Sequence, residues 1–159
     1  RFDDAATELE RAAGMTIPEI FAAHGEASFR DGERRVIRRL LAEGPQVLAT
    51  GGGAMMNPET EEAVRAHGVS VWLRADIDTL HARVRRRSNR PLLAGPDQRE
   101  RLAALLAVRE PVFARSDVIV LSGDSAHEDL VTEIVTLLAA RVAAAGAAPT
   151  GVVAEVAGR

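Results

Sequence analysis

The chain has 159 residues, hydrophobic residues near half and charged residues near a quarter of the total, and a formal net charge of −3, which places it in the range of one globular domain able to bury a sizeable core. Basic residues are interspersed with acidic ones, so no nucleic-acid surface is expected. No run reaches the roughly 18 apolar residues of a membrane span, and without cysteine there is neither a disulfide framework nor a thiolate zinc site. All 20 basic residues other than histidine are arginine. A Walker A loop, G-x-x-x-x-G-K-[ST], needs a lysine to reach the outer phosphates of a nucleotide, so these residues do not contain one.

In chain order, Asp4 to Ala13 is helix-compatible and Gly14 is a natural stop. Thr16 is placed to cap a second helix, with Pro18 in its first turn and Gly25 at its end. Glu26 to Glu43 places Phe29, Val36, Ile37, Leu40 and Leu41 on one face of a longer helix, with Arg34, Arg35, Arg38 and Arg39 opposite. Gln46 to Ala49 is an apolar run read as a buried strand, followed by Thr50 and the glycines Gly51, Gly52 and Gly53. Asn57 starts a helix by capping logic that ends near His67 and Gly68. Val69 to Leu73 is a strand, and Asp76 caps a helix bearing Leu80 and Val84. A basic segment rich in proline and glycine, about residues 86–97, precedes a helix from Asp97 to about Arg109. Val118 to Leu121 is the next strand and His127 to Ala145 the last amphipathic helix. Beyond Gly146 the small, weakly patterned residues are expected to form a flexible tail or linker, 146–159.

Apolar strands separated by helices imply crossover connections, hence an α/β fold with a doubly wound parallel sheet covered on both faces. Ligands of such sheets bind beyond the carboxyl ends of the strands, where Gly51, Gly52 and Gly53 fall. Without side chains, these three residues tolerate positive φ and allow close backbone approach, so they form either a loose turn or a ligand cradle. Three further patches are chemically suggestive. Arg30 and Glu33, three residues apart, form a helix-surface ion pair or an oriented anion grip. The basic loop around Arg90 is a solvated run or a segment that closes over phosphates. Arg109, before Pro111, is a cation at a helix end or a second anion ligand.

Taken together, Gly14-Met15-Thr16-Ile17-Pro18-Glu19-Ile20-Phe21, Gly25-Glu26 with Phe29-Arg30 and Glu33, Ala49-Thr50-Gly51-Gly52-Gly53-Ala54, Arg90-Pro91-Leu92-Leu93 and Arg109-Glu110-Pro111-Val112-Phe113 resemble the shikimate kinase family in order and spacing, from about Phe2 to Leu138. The resemblance implies a nucleoside-monophosphate-kinase-like, P-loop-class fold over 1–145 and ATP-dependent phosphorylation of the shikimate 3-hydroxyl in aromatic amino-acid biosynthesis. ATP and Mg2+ are the implied cofactors and shikimate the implied partner, in a cytoplasmic, monomeric protein. By position, Arg30 and Arg109 match the pair that binds the shikimate carboxylate, and Glu33 matches the residue that orients Arg30. Gly51, Gly52 and Gly53 match the segment at the substrate hydroxyls. Arg90 matches the lid arginine on the ATP phosphates, Arg83 the arginine against adenine, and Asp4 the first acid of a D-x-D pair near magnesium.

Two departures stand beside these matches. Ala6 replaces the second acid of D-x-D, and Asp3 is expected to point elsewhere. The family's first strand, Walker A loop and following helix have no counterpart ahead of Phe2, so the chain reads as an N-terminally truncated kinase. Since that strand lies mid-sheet in the family, the isolated residues are expected neither to fold stably nor to turn over ATP, because neighbouring strands would lose a shared partner. The alternatives are a non-catalytic ligand-sensing domain of a transcriptional regulator and another small-metabolite kinase of the same fold. A fused enzyme beyond the C-terminal segment also fits.

Overall fold

The computed structural model describes residues 1–85, 97–123, 126–145 and 152–156. In chain order they form β1 (Phe2–Asp4), α1 (Ala5–Ala13), α2 (Ile17–Ala42), β2 (Val47–Thr50), a 3-10 turn (Ala54–Met56), α3 (Pro58–His67), β3 (Val69–Arg74), α4 (Ile77–Arg85), α5 (Gln98–Phe113), β4 (Val118–Leu121), α6 (His127–Ala145) and β5 (Val152–Val156).

Local chemistry sets most of the helix boundaries. Asp4 accepts from the backbone N–H groups of Ala6 and Thr7 to open α1, and Gly14 closes it at φ 64°. Thr16 and Glu19 form a reciprocal capping box at the start of α2. The two helices expected on either side of Gly25 are one element kinked at that residue, whose φ of 77° and ψ of 175° are not helical. Asn57 caps α3 through Glu59 and Thr60, and Asp76 accepts from the Thr79 N–H at the start of α4. Helix α5 runs four residues past Arg109, through Pro111. Its last turn is closed by Ala114 N–H donating to the Glu110 carbonyl at 2.8 Å, and by Phe113, which is buried against Trp72.

The five strands form one parallel sheet in the order β1-β2-β5-β3-β4. Successive residues point to opposite faces. Leu48, Val153 and Trp72 pack with Leu9, Phe29, Ile37, Leu40 and Phe113 on one face. Val69, Val71, Val118 and Val120 pack beneath Leu130, Ile134 and Leu138 of α6 on the other. The α/β doubly wound parallel class read from the sequence is the observed one. No helix among the described residues is long and apolar enough to cross a membrane.

The expectation for 146–159 does not hold over Val152–Val156. These residues are the central strand, with Val47↔Val152 and Ala49↔Ala154 on one side and Val69↔Val152 and Val71↔Ala154 on the other. Five residues after a small-residue stretch carry no periodic signal, but Val153 is 1% exposed in the core. The shared strand partner whose loss the sequence suggested is therefore present, supplied from the carboxyl-terminal part of the chain, and the backbone of β2 and β3 is paired through it. The first strand, β1, was also hidden in the sequence, since it is three residues long and two of them are aspartate.

Candidate functional site

All five strands run parallel, so their carboxyl ends share one edge of the sheet. Gly51 leaves the end of β2 there, opposite α2, which carries Arg30 and Glu33. Arg30 Nη1 donates to Glu33 Oε2 at 2.7 Å, and Arg30 also reaches Glu26 Oε1 at 3.4 Å. Its guanidinium carbon lies 5.0 Å from the centroid of the Phe29 ring. The side chain of Arg30 is 28% exposed and that of Glu33 only 8%. One cation is thus held on three sides with part of its surface open, which suits capture of a carboxylate or another planar anion.

Gly51 and Gly53 are needed for proximity and not for positive φ. Among the described residues positive φ occurs at Gly14, Gly25 and Gly44, and none of Gly51, Gly52 or Gly53 is in that group. A Cβ on Gly53 would lie 2.6 Å from Arg30 Nη1 and 2.7 Å from Nη2, and one on Gly51 would lie 3.0 Å from Glu33 Oε1. The loop is pressed against the ion pair, and any side chain at Gly53 would occupy the space that Arg30 fills.

Burial raises the pKa of Glu33 above its ordinary value of 4.5, and the charges of Arg30 and Arg109 oppose that rise. Arg109, on α5, is thereby electrostatically linked to the same carboxylate. Its neighbour Glu110 accepts from Arg74 at 3.3 Å, and Arg74 lies over the Trp72 ring, so the end of α5 is tied to the end of β3. The sign of the linkage follows from the raised value: stability contributed at Glu33 is fully present below the ordinary carboxylate pKa and is lost as pH rises through the raised one. Thermal melts of Glu33→Gln should therefore be flatter with pH across that window than those of the unsubstituted chain. Parallel profiles would mean that Glu33 titrates normally.

Arg83 is anchored to the segment after β4. Its guanidinium donates to Ser122 Oγ, the Ser122 carbonyl and the Gly123 carbonyl, each at 3.0 Å, which clamps the segment after β4 to α4. Asp4 caps α1 through Oδ1, at 2.9 Å from Ala6 N. Asp3 is ion-paired to Arg1 at 2.7 Å, in keeping with the expectation that it does not replace the missing acid at Ala6. Among the described residues no group of three His, Cys, Asp or Glu side chains could hold a metal ion. Arg90 and the basic segment 86–96 lie outside the described residues.

The structure thus brings together Arg30, Glu33, Gly51 and Gly53, with Arg109 coupled to them by charge, and sets Arg83 apart at the far end of the sheet edge. The sequence reading overlooked Glu26 as a second partner of Arg30, although the i, i+4 spacing was a visible signal. It also overlooked the Arg74–Glu110 tie, which links residues 36 positions apart.

The shikimate kinase family model matches residues 1–139. A shikimate kinase of Bradyrhizobium diazoefficiens is 53% identical over 141 residues, covering 89% of this chain and 68% of that protein. One from Rhodopseudomonas palustris is 52% identical over 137 residues, covering 86% and 68%. Among solved structures, the shikimate kinase from Acinetobacter baumannii in complex with shikimate superposes with a TM-score of 0.86 at 33% identity, covering 89% of this chain and 79% of that one. The Aquifex aeolicus enzyme gives 0.74 at 29% identity, covering 89% and 82%. The matched span contains every residue of the Arg30–Glu33–glycine assembly, and on that span the chain belongs to the shikimate kinase family.

Proposed function

We propose that this chain provides the acceptor half of a shikimate kinase, the part that binds shikimate and presents its 3-hydroxyl to the terminal phosphoryl group of ATP. The observation that supports this best is the partly open Arg30 guanidinium, fixed by Glu33 at 2.7 Å and seated against Gly53. Arg30 and Arg109 bind the substrate carboxylate, Glu33 orients Arg30, and the backbone of Gly51 to Gly53 lines the hydroxyl side. Such a site works by positioning, converting an encounter of two substrates into a reaction within one complex. In the family's complete enzyme ATP would supply the phosphoryl group, and the residues of this chain would hold the shikimate 3-hydroxyl in place to receive it. Ala6 offers no carboxylate to receive the hydroxyl proton, and Asp3 is held by Arg1.

The nucleotide half is assigned by resemblance alone, with Arg90 on the transferring phosphoryl group and Arg83 beside adenine. The residues present do not fit a phosphate cradle, because the chain has no lysine. Nor do they fit a magnesium site, since no described cluster would hold the ion and Asp4 is engaged as a helix cap. We therefore expect these residues to bind shikimate without turning over ATP on their own. Kinases of this family use ATP, and Mg2+ remains the ion it implies. Identities of 52–53% to shikimate kinases favour this reading over a regulatory sensor or a kinase for another metabolite.

Calorimetric titration with shikimate tests the proposal. The chain should bind it, and Arg109→Ala should weaken binding by about tenfold or more, the cost of one charge-assisted hydrogen bond, while leaving ATP affinity in the family's complete enzyme unchanged. Equal losses for both ligands would remove Arg109 from the acceptor side.

A further inference from the structure

Arg109 is followed directly by a carboxylate, Glu110, on a turn that its own helix holds weakly. Pro111 has no N–H to offer the Ala107 carbonyl, so the hydrogen-bond ladder of α5 is interrupted just beyond these two residues. The helix alone therefore does not fix where the two opposite charges point. A carboxylate beside an anion-binding arginine is a handicap, because turned toward Arg109 it competes with the ligand's carboxylate, and left unpaired it repels that carboxylate.

Arg74, at the end of β3, deals with this carboxylate from outside the helix. Its Nη2 donates to Glu110 Oε1 at 3.3 Å, and its guanidinium carbon lies 5.4 Å from the centroid of the Trp72 ring. The backbone of Arg74 is anchored as well. It is in register with Leu121 of β4, and its carbonyl accepts from Ser122 N–H at 2.6 Å. Ser122 is in turn gripped by Arg83 through its hydroxyl and its carbonyl. A cation rooted in the sheet and laid over an aromatic ring has a defined reach, and among the described residues the carboxylate it meets is Glu110.

We propose that Arg74 is a positioning residue of the acceptor site: by pairing with Glu110 it turns that carboxylate toward β3 and cancels its charge, which leaves Arg109 to act on an anionic ligand. The inference rests on the reading that Arg109 binds the shikimate carboxylate, and Arg74 acts at one remove from the substrate. Its effect is carried by a pair whose side chains are 52% and 42% exposed, so it is modest in size and weakened by salt.

The test is a double-mutant cycle in the full 159-residue chain. It is read by calorimetry with shikimate at low salt and by the NMR resonance of the Arg109 Nε–Hε group, assigned through its loss in Arg109→Lys. Arg74→Ala should weaken shikimate binding by about three- to fivefold and shift the Arg109 resonance while leaving that of Arg30 in place. Adding Glu110→Gln to Arg74→Ala should recover most of the affinity and return the resonance, a rescue that a purely structural role of Arg74 would not show. Arg74→Lys, which keeps the charge, should bind as the parent does, and the deficit of Arg74→Ala should shrink at high salt. The proposal is overturned if Arg74→Ala binds like the parent, or if the losses from Arg74→Ala and Glu110→Gln simply add. Should the unsubstituted chain bind no shikimate, the acceptor reading itself fails, and the Arg109 resonance alone decides: unmoved by Arg74→Ala, it overturns the role of Arg74; moved and then returned by Glu110→Gln, it supports that role.

Discussion

Gly53→Ala should abolish most of the affinity for shikimate while leaving the fold intact. The new methyl carbon would sit 2.6–2.8 Å from three atoms of the Arg30 guanidinium, a separation at which something must move. What moves is the free end of a long side chain, because Gly53 itself has φ −114° and ψ −9°, which alanine adopts without strain. Arg30 would swing off Glu33 and out of the acceptor cleft. Losing its charged contact costs roughly 1.5–3 kcal/mol, about ten- to more than a hundredfold in the dissociation constant, and the methyl group further narrows the cleft. Because the nearly buried Glu33 loses its Arg30 partner, stability should fall by about 1–3 kcal/mol, less than the chain needs to unfold. Calorimetry with shikimate, paired with a melt, separates the two quantities. Normal affinity in a folded Gly53→Ala chain would place Arg30 outside the acceptor site.

Phe113→Ala is expected to produce the opposite pattern, a large loss of stability that originates away from the ion pair. Phe113 is 2% exposed, and its ring lies 5.6 Å from that of Trp72 at an interplanar angle of 52°. Removing it leaves a cavity between α5 and the sheet, and substitutions of this kind cost about 3–5 kcal/mol. For a chain of this size the Tm should fall by roughly 10 °C, and the emission of Trp72 should change with it. Because Arg109 lies one turn before Phe113 on α5, shikimate affinity should fall as well, although the residues that contact the ligand are untouched. Val108→Ala on the same helix, at a position 65% exposed, should change neither. If Phe113→Ala melts like Val108→Ala, the end of α5 is not held by this contact.

Much of this architecture was legible locally. Thr16, Asn57 and Asp76 announce helix starts because their side chains accept from nearby N–H groups, an interaction that spans three residues and needs no tertiary context. Val118–Leu121 and His127–Ala145 have the bounds that apolar runs and helical spacing suggested. The end of α5 was misplaced because proline usually stops a helix, whereas here the buried Phe113 extends it through Pro111. The 146–159 segment was read as a tail because composition cannot register pairing with strands about a hundred positions earlier in the chain.

The candidate site divides in the same way. Arg30, Glu33 and Gly51 to Gly53 could be singled out from residue type and spacing. Of their contacts, those of Arg30 with Glu33, Glu26 and Phe29 are local, within one turn of α2. The seating of Gly53 against Arg30 and the pull of Arg109 on Glu33 depend on how α2, the loop after β2, and α5 converge at one edge of the sheet.

The sequence by itself determined the fold class, the positions of most helices and the family, because periodicity, capping and motif order are encoded over short stretches. Only the tertiary structure decided which segment fills the middle of the sheet and why Gly51 and Gly53 must be glycine. Strand pairing and close packing join residues far apart in the chain, and their energies are set by the final arrangement, not by any local run of amino acids.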